Sequence, residues 1–401
     1  MSDIPADPKI IDLLKERHEG SKPFVSIEFF PPRSEDGVKN LYSRMERMKN
    51  AINPLFTDMT WGAGGSTAEL TLQLATHAHQ HGHVSNMHLT CTNMEKDGDP
   101  KKAVHEALTT AKTNGIRNIV ALRGDPPAGQ DEWKAAEGGF TCALDLVVYI
   151  REHFGETFGI SVAGYPEGHP NAISEIDDPS TLTESELGRS STFDGKVYTC
   201  KDEDYKKEMD YLKKKIDAGA DFIITQMFFD TKTFATFVED CRKWGITCPI
   251  VPGLMCINAY AGFCKMTKFC KTRVPAELQA KMDSIKDDAE AVKAFGVEFG
   301  IQMCKEITPL VDVLHFYTLN LEKVTFGILE GLGYEVKSVA DEADEASMVA
   351  KGSAWARVGD TVKTAQGTGV VQEIEKDGSA VVALEGGTTA SFKKEEYTKV
   401  F

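Results

Sequence analysis

The sequence predicts a parallel β/α barrel followed by a small all-β module. Two observations carry the barrel. Eight apolar runs of strand length alternate with segments of helical spacing, over roughly the 250–300 residues such barrels occupy. Polar residues then gather in or just after seven of those runs, where a barrel collects its chemistry and an open sheet would not require them.

The elements follow in order. Pro8 to His18 reads as a short amphipathic helix. The strand runs are Phe24–Phe30, Leu55–Trp61, Val84–Cys91, Asn118–Gly124, Ile160–Tyr165, Asp221–Phe229, Pro249–Met255 and Val313–Leu319. Helical spacing fills Val38–Ala51, Ala68–His79, Pro100–Asn114, Ala143–His153, Tyr205–Ala218, Lys232–Trp244 and Ala289–Glu306. Asn114-Gly115 and Ala218-Gly219 are helix stops that lead straight into the next strand. The polar residues at the strand ends are Glu28, Thr60, His88, Arg123 with Asp125, Tyr165, Gln226, and His315 with Tyr317. Together they predict one shared pocket.

Glu28 stands out, because Phe24–Phe30 is otherwise β-branched and aromatic and ends abruptly at two prolines. A carboxylate in such a run must find a partner or stay protonated. It is either a proton donor or a structural carboxylate bonded to neighbouring backbone.

Two segments fall outside the barrel, which spans 1–335. Ser174 to Asp204 is polar, acidic and too long for a plain connection. It reads as a solvated insertion, with a lid or partner-contact loop as the functional alternative. An acidic linker at 336–357 then leads to residues 358–401, where short strands are punctuated by Gly367, Lys376-Asp377-Gly378 and Gly386-Gly387. This is an SH3-like small barrel without a basic surface, which suits protein contact or oligomer packing.

A net charge of −16 argues against nucleic acid or an anionic membrane as the main partner, leaving small molecules. No run approaches membrane-spanning length and the start is neither basic nor apolar, so a cytoplasmic protein is expected. Nine scattered cysteines without a Cys-x-x-Cys pair indicate reduced thiols and give no zinc signature. His77, His79, His81 and His83 alternate, but only His77 and His81 share a helix face, and the run precedes a strand, away from the chemical end. A solvated helix end is expected there, and no metal. Gly62-Ala-Gly64-Gly65-Ser66-Thr67 fails the dinucleotide fingerprint because Thr67 stands at the third glycine.

The motifs Ser26-Ile-Glu-Phe-Phe-Pro-Pro32, Thr60-Trp-Gly-Ala63, His88-Leu-Thr-Cys91, Ala121-Leu-Arg-Gly-Asp-Pro126, Ala163-Gly-Tyr-Pro-Glu-Gly-His-Pro170, Asp217–Gln226 and His315-Phe-Tyr-Thr-Leu-Asn320 are collinear. In that order and spacing the chain, from about Glu19 to Gly333, resembles the catalytic domain of the methylenetetrahydrofolate reductases. The resemblance implies an FAD-bearing barrel that passes a hydride from NAD(P)H to methylenetetrahydrofolate. By the same resemblance Glu28 is the general acid and Asp125 sits beside flavin and folate. Thr60, Trp61, Ala63, His88, Arg123, Gly124, Asp125, Ala143, Tyr165, His169, Ala172 and Lys215 would hold the flavin. Glu28, Thr60, Asp125, Gln226 and Tyr317 would meet the folate.

Many members carry Tyr at Cys142 and Arg at Leu321; Lys323 is a possible substitute for that arginine. Animal and fungal members add a large domain that binds S-adenosylmethionine, and the resemblance here implies no inhibition by that ligand. A homo-oligomer is expected. Two other readings compete: a flavin barrel oxidising a small amine or imino acid, as in the proline dehydrogenases, and a non-catalytic flavin or folate binder.

Overall fold

A computed structural model of the chain describes residues 5–18, 20–61, 68–91, 99–125, 134–135, 137–338 and the strand segments 361–364, 367–374, 380–384, 389–392 and 397–399. Two compact units emerge, Met1–Lys337 and Ser338–Phe401.

The first unit is the expected barrel. Its strands are β1 Phe24–Phe29, β2 Phe56–Met59, β3 Ser85–Thr90, β4 Asn118–Leu122, β5 Gly159–Gly164, β9 Phe222–Thr225, β10 Ile250–Val251, β11 Gly253–Met255 and β12 Val313–Tyr317. They pair in parallel in the order β10-β9-β5-β4-β3-β2-β1-β12-β11. The two end pieces of that order are one predicted strand interrupted at Pro252, which has no N–H to give a ladder. β10 pairs with β9 and β11 with β12, so the chain through Pro252 closes the ring at eight strand positions.

The helices between the strands are α2 Glu35–Ile52, α3 Ala68–Gln80, α4 Pro100–Thr113, α5 Ala143–Phe154, α7 Asp202–Asp217, α8 Thr231–Lys243, α9 Tyr260–Cys270, α10 Ala276–Ile285, α11 Ala289–Ile307 and α12 Lys323–Gly331. Short polar side chains start several of them: Ser34 accepts from Gly37 N, Asp99 from Lys101 N, Asp230 from Lys232 N and Asp288 from Glu290 N. The outward residues of the strands, such as Ile27, Phe29, Met87, Ile119, Ile160 and Phe316, pack with the helix faces in the main core. Each such side chain taken from water contributes roughly 2–3 kcal/mol.

The helix near the N-terminus is shorter than its pattern, α1 Ile10–Leu14. Ile10 and Leu14 pack with inward residues Phe56, Val120, Phe222, Val251 and Val313, so α1 plugs the end of the barrel opposite the chemistry. Asn118 Oδ1 accepts from Ile10 N at 2.8 Å and fixes it there.

Between β5 and α7 the expected solvated insertion is an ordered subdomain. It consists of β6 Ile173–Ile176, α6 Glu184–Arg189, β7 Ser191–Phe193 and β8 Lys196–Cys200, with antiparallel strand order β6-β8-β7. Asp194 and Gly195, both at positive φ, make the two-residue turn that joins β7 to β8. Thr183 and Glu186 form a reciprocal cap on α6.

The second unit contains β13 Thr361–Thr364, β14 Gly367–Ile374, β15 Ala380–Leu384, β16 Thr389–Phe392 and β17 Tyr397–Lys399. They form an antiparallel sheet in the order β16-β15-β14-β13-β17. Gly367, expected in a turn, is the first residue of β14 and pairs with Thr364. The expected glycine turns at 376–378 and 386–387 and the linker from residue 339 lie outside the described residues. Among the described residues no helix is long and apolar enough to cross a membrane. All nine cysteines are free thiols.

Candidate functional site

Register builds the site. β1 lies between β2 and β12 so that Glu28 is abreast of Asp58 on one side and Tyr317 on the other. Two residues earlier Ser26 is abreast of His315. With a side-chain period of two, these residues all point into the barrel.

The result is a buried polar cluster at the floor of a cavity of about 360 Å³. Asp58 is fully buried; its Oδ1 accepts from Asn86 Nδ2 at 2.9 Å and its Oδ2 lies 3.1 Å from His88 Nε2. Glu28 Oε2 is 3.7 Å from the same His88 nitrogen. Beyond Asp58, His315 Nε2 lies 3.7 Å from its Oδ2, while His315 Nδ1 meets Ser26 Oγ at 2.8 Å. Ser26 Oγ can pair with Nδ1 in either tautomer, and Nε2, beyond hydrogen-bond reach of the carboxylate, is buried without a hydrogen-bond partner.

The charges in this cluster pull against one another. Burial pushes the Glu28 carboxyl up to about 8; His88 opposes the rise and Asp58 adds to it. Burial pushes His88 down, but its hydrogen bond to Asp58 and the charges of Asp58 and Glu28 leave it raised overall. Burial takes His315 down to about 4, against the pull of Asp58. Tyr317 is raised by burial and the two carboxylates, and its hydroxyl donates to Thr225 O at 2.6 Å. Gly253 makes room for that ring, since a Cβ there would overlap Tyr317 and the Thr225 carbonyl.

The cavity wall takes residues from every strand position, including Thr60, Trp61, Arg123, Gly124, Asp125, Tyr165, His169, Gln226 and Met255. A second cavity of about 220 Å³ adjoins it and shares Leu122, Arg123, Ala163, Tyr165 and His169. Its other walls include Cys142, Ala143, Glu208, Tyr211 and Lys215. Lys215 is buried, donates to Ala163 O at 2.8 Å, and is taken down to about 8 by burial despite Glu208. Burial, with Arg123 and Lys215, takes His169 to about 4. Ala143 opens α5, where the Cys142 side chain makes no cap bond and Leu144 N–H instead donates to the Tyr211 hydroxyl at 3.2 Å. Lys215 and Arg123 bring positive charge to this wall, with Glu208 as the opposing charge, and the two cations suit a negatively charged ligand. Gly168 sets the Tyr165–His169 turn at φ +95°, and a Cβ there would collide with Cys200.

The model of the methylenetetrahydrofolate reductase family matches residues 13–333. The chain belongs to the methylenetetrahydrofolate reductase family. It is 50% identical over 327 residues to a probable methylenetetrahydrofolate reductase (NADH) of Oryza sativa subsp. japonica, covering 81% of this chain and 50% of the relative. Methylenetetrahydrofolate reductase (NADH) 1 of Arabidopsis thaliana is 47% identical over 358 residues, covering 89% and 54%. The 5,10-methylenetetrahydrofolate reductase of Escherichia coli (strain K12) is 32% identical over 314 residues, 77% of this chain and 90% of the relative. The chain thus spans about half the length of the plant relatives and most of the bacterial one.

Of the positions singled out by likeness to the reductase family, most line the two cavities. Ala172 does not; it packs against the core just after the Tyr165–His169 turn. Ala63 lies outside the described residues, as does the whole 62–67 glycine-rich junction. Asp58, at the centre of the cluster, is not among the residues expected from the sequence. Its signal there is an acid inside the apolar Leu55–Trp61 run, two residues before the polar strand end at Thr60.

The histidine run corrects the expectation of a solvated helix end. His79 is buried against Asp7 at 2.8 Å and His83 against Thr57 at 2.8 Å, while His77 and His81 stack with ring centroids 3.8 Å apart. Among the described residues the group with metal-ligand spacing is Glu28, Asp58 and His315. In this group Asp58 bonds Asn86 and His88, and His315 bonds Ser26 through Nδ1, while His315 Nε2 makes no hydrogen bond.

Proposed function

We propose that this chain reduces 5,10-methylenetetrahydrofolate to 5-methyltetrahydrofolate with NAD(P)H as donor and FAD as resident cofactor, Glu28 acting as general acid. The observation that carries the reading is Glu28, a carboxyl raised to about 8 at the floor of the cavity of a chain that belongs to this family. The five-membered ring of the substrate opens only when its departing nitrogen gains a proton. A carboxyl that keeps its proton near neutral pH can supply one. The proton leaves Glu28 for that nitrogen, the ring C–N bond breaks, and a cationic iminium remains at the other nitrogen. Asp125, at the exposed rim of the cavity, would favour that cation. Gln226 presents a side-chain amide to the pterin from the end of β9, with Thr60 and Tyr317 as the further folate contacts.

The two joined cavities fit an elongated dinucleotide. Trp61 Nε1 is buried without a protein acceptor, so a donor in the wall is left for a ligand. Thr60, Trp61, Ala63, His88, Arg123, Gly124, Asp125, Tyr165 and His169 would hold the isoalloxazine side. Ala143 and Lys215, with Arg123 reaching from the shared wall, would hold the phosphates and ribose. FAD, when bound, supplies the hydride relay between nicotinamide and folate. The plant relatives carry NADH in their names and a Caenorhabditis elegans relative NADPH, so both donors belong in the test.

The test is the visible spectrum of the purified protein, followed without oxygen through addition of NADH or NADPH and then of methylenetetrahydrofolate. A yellow protein that bleaches with one nicotinamide and regains colour with the folate is the expected result. A yellow protein that ignores the folate would point to another flavin reaction, and a protein that takes up no FAD would remove the redox reading.

A further inference from the structure

We propose that Asp58 is a positioning residue for the acid step, anchoring His88 as the cation that receives the negative charge of Glu28 once its proton has gone to the substrate. The inference rests on the reductase reading above and adds a residue that the reading does not use.

The difficulty it addresses is physical. A largely buried acid that begins neutral is easy to keep, but it must end the step as a carboxylate with little water around it, and an unpaired one is costly. Five titratable groups from four strands face this floor: Glu28, Asp58, His88, His315 and Tyr317. Two of them offer Glu28 nothing. His315 is held neutral by burial and Tyr317 spends its proton on the Thr225 carbonyl. His88 is the group whose cation the surroundings favour.

Asp58 produces that preference. It cannot move away, being fully buried with Asn86 Nδ2 on its other oxygen at 2.9 Å. Its contact with His88 Nε2 is 3.1 Å, against 3.7 Å from the same nitrogen to Glu28. One N–H therefore stands before two carboxyl groups. While Glu28 is protonated the bond goes to Asp58. When Glu28 ionises, a shift of well under an ångström lets the same N–H serve both. The step moves one proton, from a Glu28 oxygen to the departing nitrogen, whose bond to carbon breaks with the electron pair staying on nitrogen. His88 keeps its own proton throughout.

The experiment compares the FAD-loaded full chain with Asp58→Asn and Asp58→Glu. Ring nitrogen NMR of the substrate-free proteins follows the titration of His88. In D58N it should fall at least about one pH unit lower than in the unsubstituted protein, and D58E should recover most of the difference. Stopped-flow then separates the half-reactions. In D58N bleaching by the nicotinamide should change less than about threefold while recovery of colour with methylenetetrahydrofolate slows at least about tenfold. An unchanged His88 titration, or equal slowing of both half-reactions in a protein that melts normally, overturns the proposal. If D58N fails to fold, D58E alone decides: a normal titration and a normal folate step support the role, and a normal titration with a lost folate step overturns it. Should the unsubstituted protein never pass hydride to the folate, the reductase reading falls and the acid step with it, whereas a silent His88 in an active enzyme removes this inference alone.

Discussion

At the scale of single residues, Glu28 couples stability to pH in a direction opposite to most carboxylates. Its folded value, about 8, lies above the ordinary 4.5, so the folded protein holds the proton more tightly than the unfolded chain does. Its stabilising share is complete below about 4.5 and is lost as pH rises through about 8. Glu28→Gln keeps the neutral form at every pH. It should therefore melt close to the unsubstituted protein in mild acid and above it at about pH 9, by an amount on the order of a few kcal/mol at most. Glu167, buried and raised by burial to about 8, titrates in the same window, so the comparison must be a difference between proteins and not a single curve. Parallel melting curves from acid to alkali would show that Glu28 is not held protonated. The same ionisation sets the rate. The folate-driven half-reaction should fall about tenfold per pH unit above about 8, and the nicotinamide-driven half, which needs no acid, should lack that limb.

At the scale of elements, Arg273 ties the inserted subdomain to the barrel. Its Nε bonds Asp230 at 2.7 Å, its Nη1 bonds Ser190 O at 2.9 Å and Leu187 O at 3.2 Å, and its backbone N–H bonds Glu167 at 2.8 Å. The side chain thus joins α6 and the start of β7 to the cap of α8. Arg273→Ala removes those three side-chain bonds and should cost about 1–3 kcal/mol locally. Hydrogen exchange should then quicken across 173–200 while amides of β1 to β4 stay protected; uniform quickening would mean that Arg273 supports the barrel itself. This subdomain was also the part of the unit least legible in the sequence. Its strands are three to five residues long and mix charge with apolar residues, so no period could establish itself. Asp194-Gly195 is the readable signal, a two-residue hairpin turn inside a stretch whose polar, acidic composition reads as solvated. The barrel strands were legible for the opposite reason: buried on both faces, they run as continuous apolar segments, and the polar exceptions within them are the site.

At the scale of the whole molecule, most of the site could be read because register in a closed parallel barrel is shared by all strands. A polar residue near the end of one strand therefore stands abreast of those on its neighbours, as Glu28 does with Asp58 and Tyr317. Pairings from distant chain could not be read. His79 is buried by Asp7, whose carboxylate also holds Ser85 N, and nothing local to the histidines announces it. The same logic predicts what the last part of the chain contributes. Lys337 N bonds Ala51 O at 2.9 Å, Val336 packs on the main core, and no residue beyond it enters the core clusters of the first unit among the described residues. Among the described residues, those that line the two cavities belong to that unit. A chain ending at Lys337 should fold, bleach with nicotinamide and recover with folate at rates within about twofold of the full chain. A loss of more than about tenfold in the folate step alone would mean that residues 338–401 act on the site, and failure to fold would mean that they complete the core.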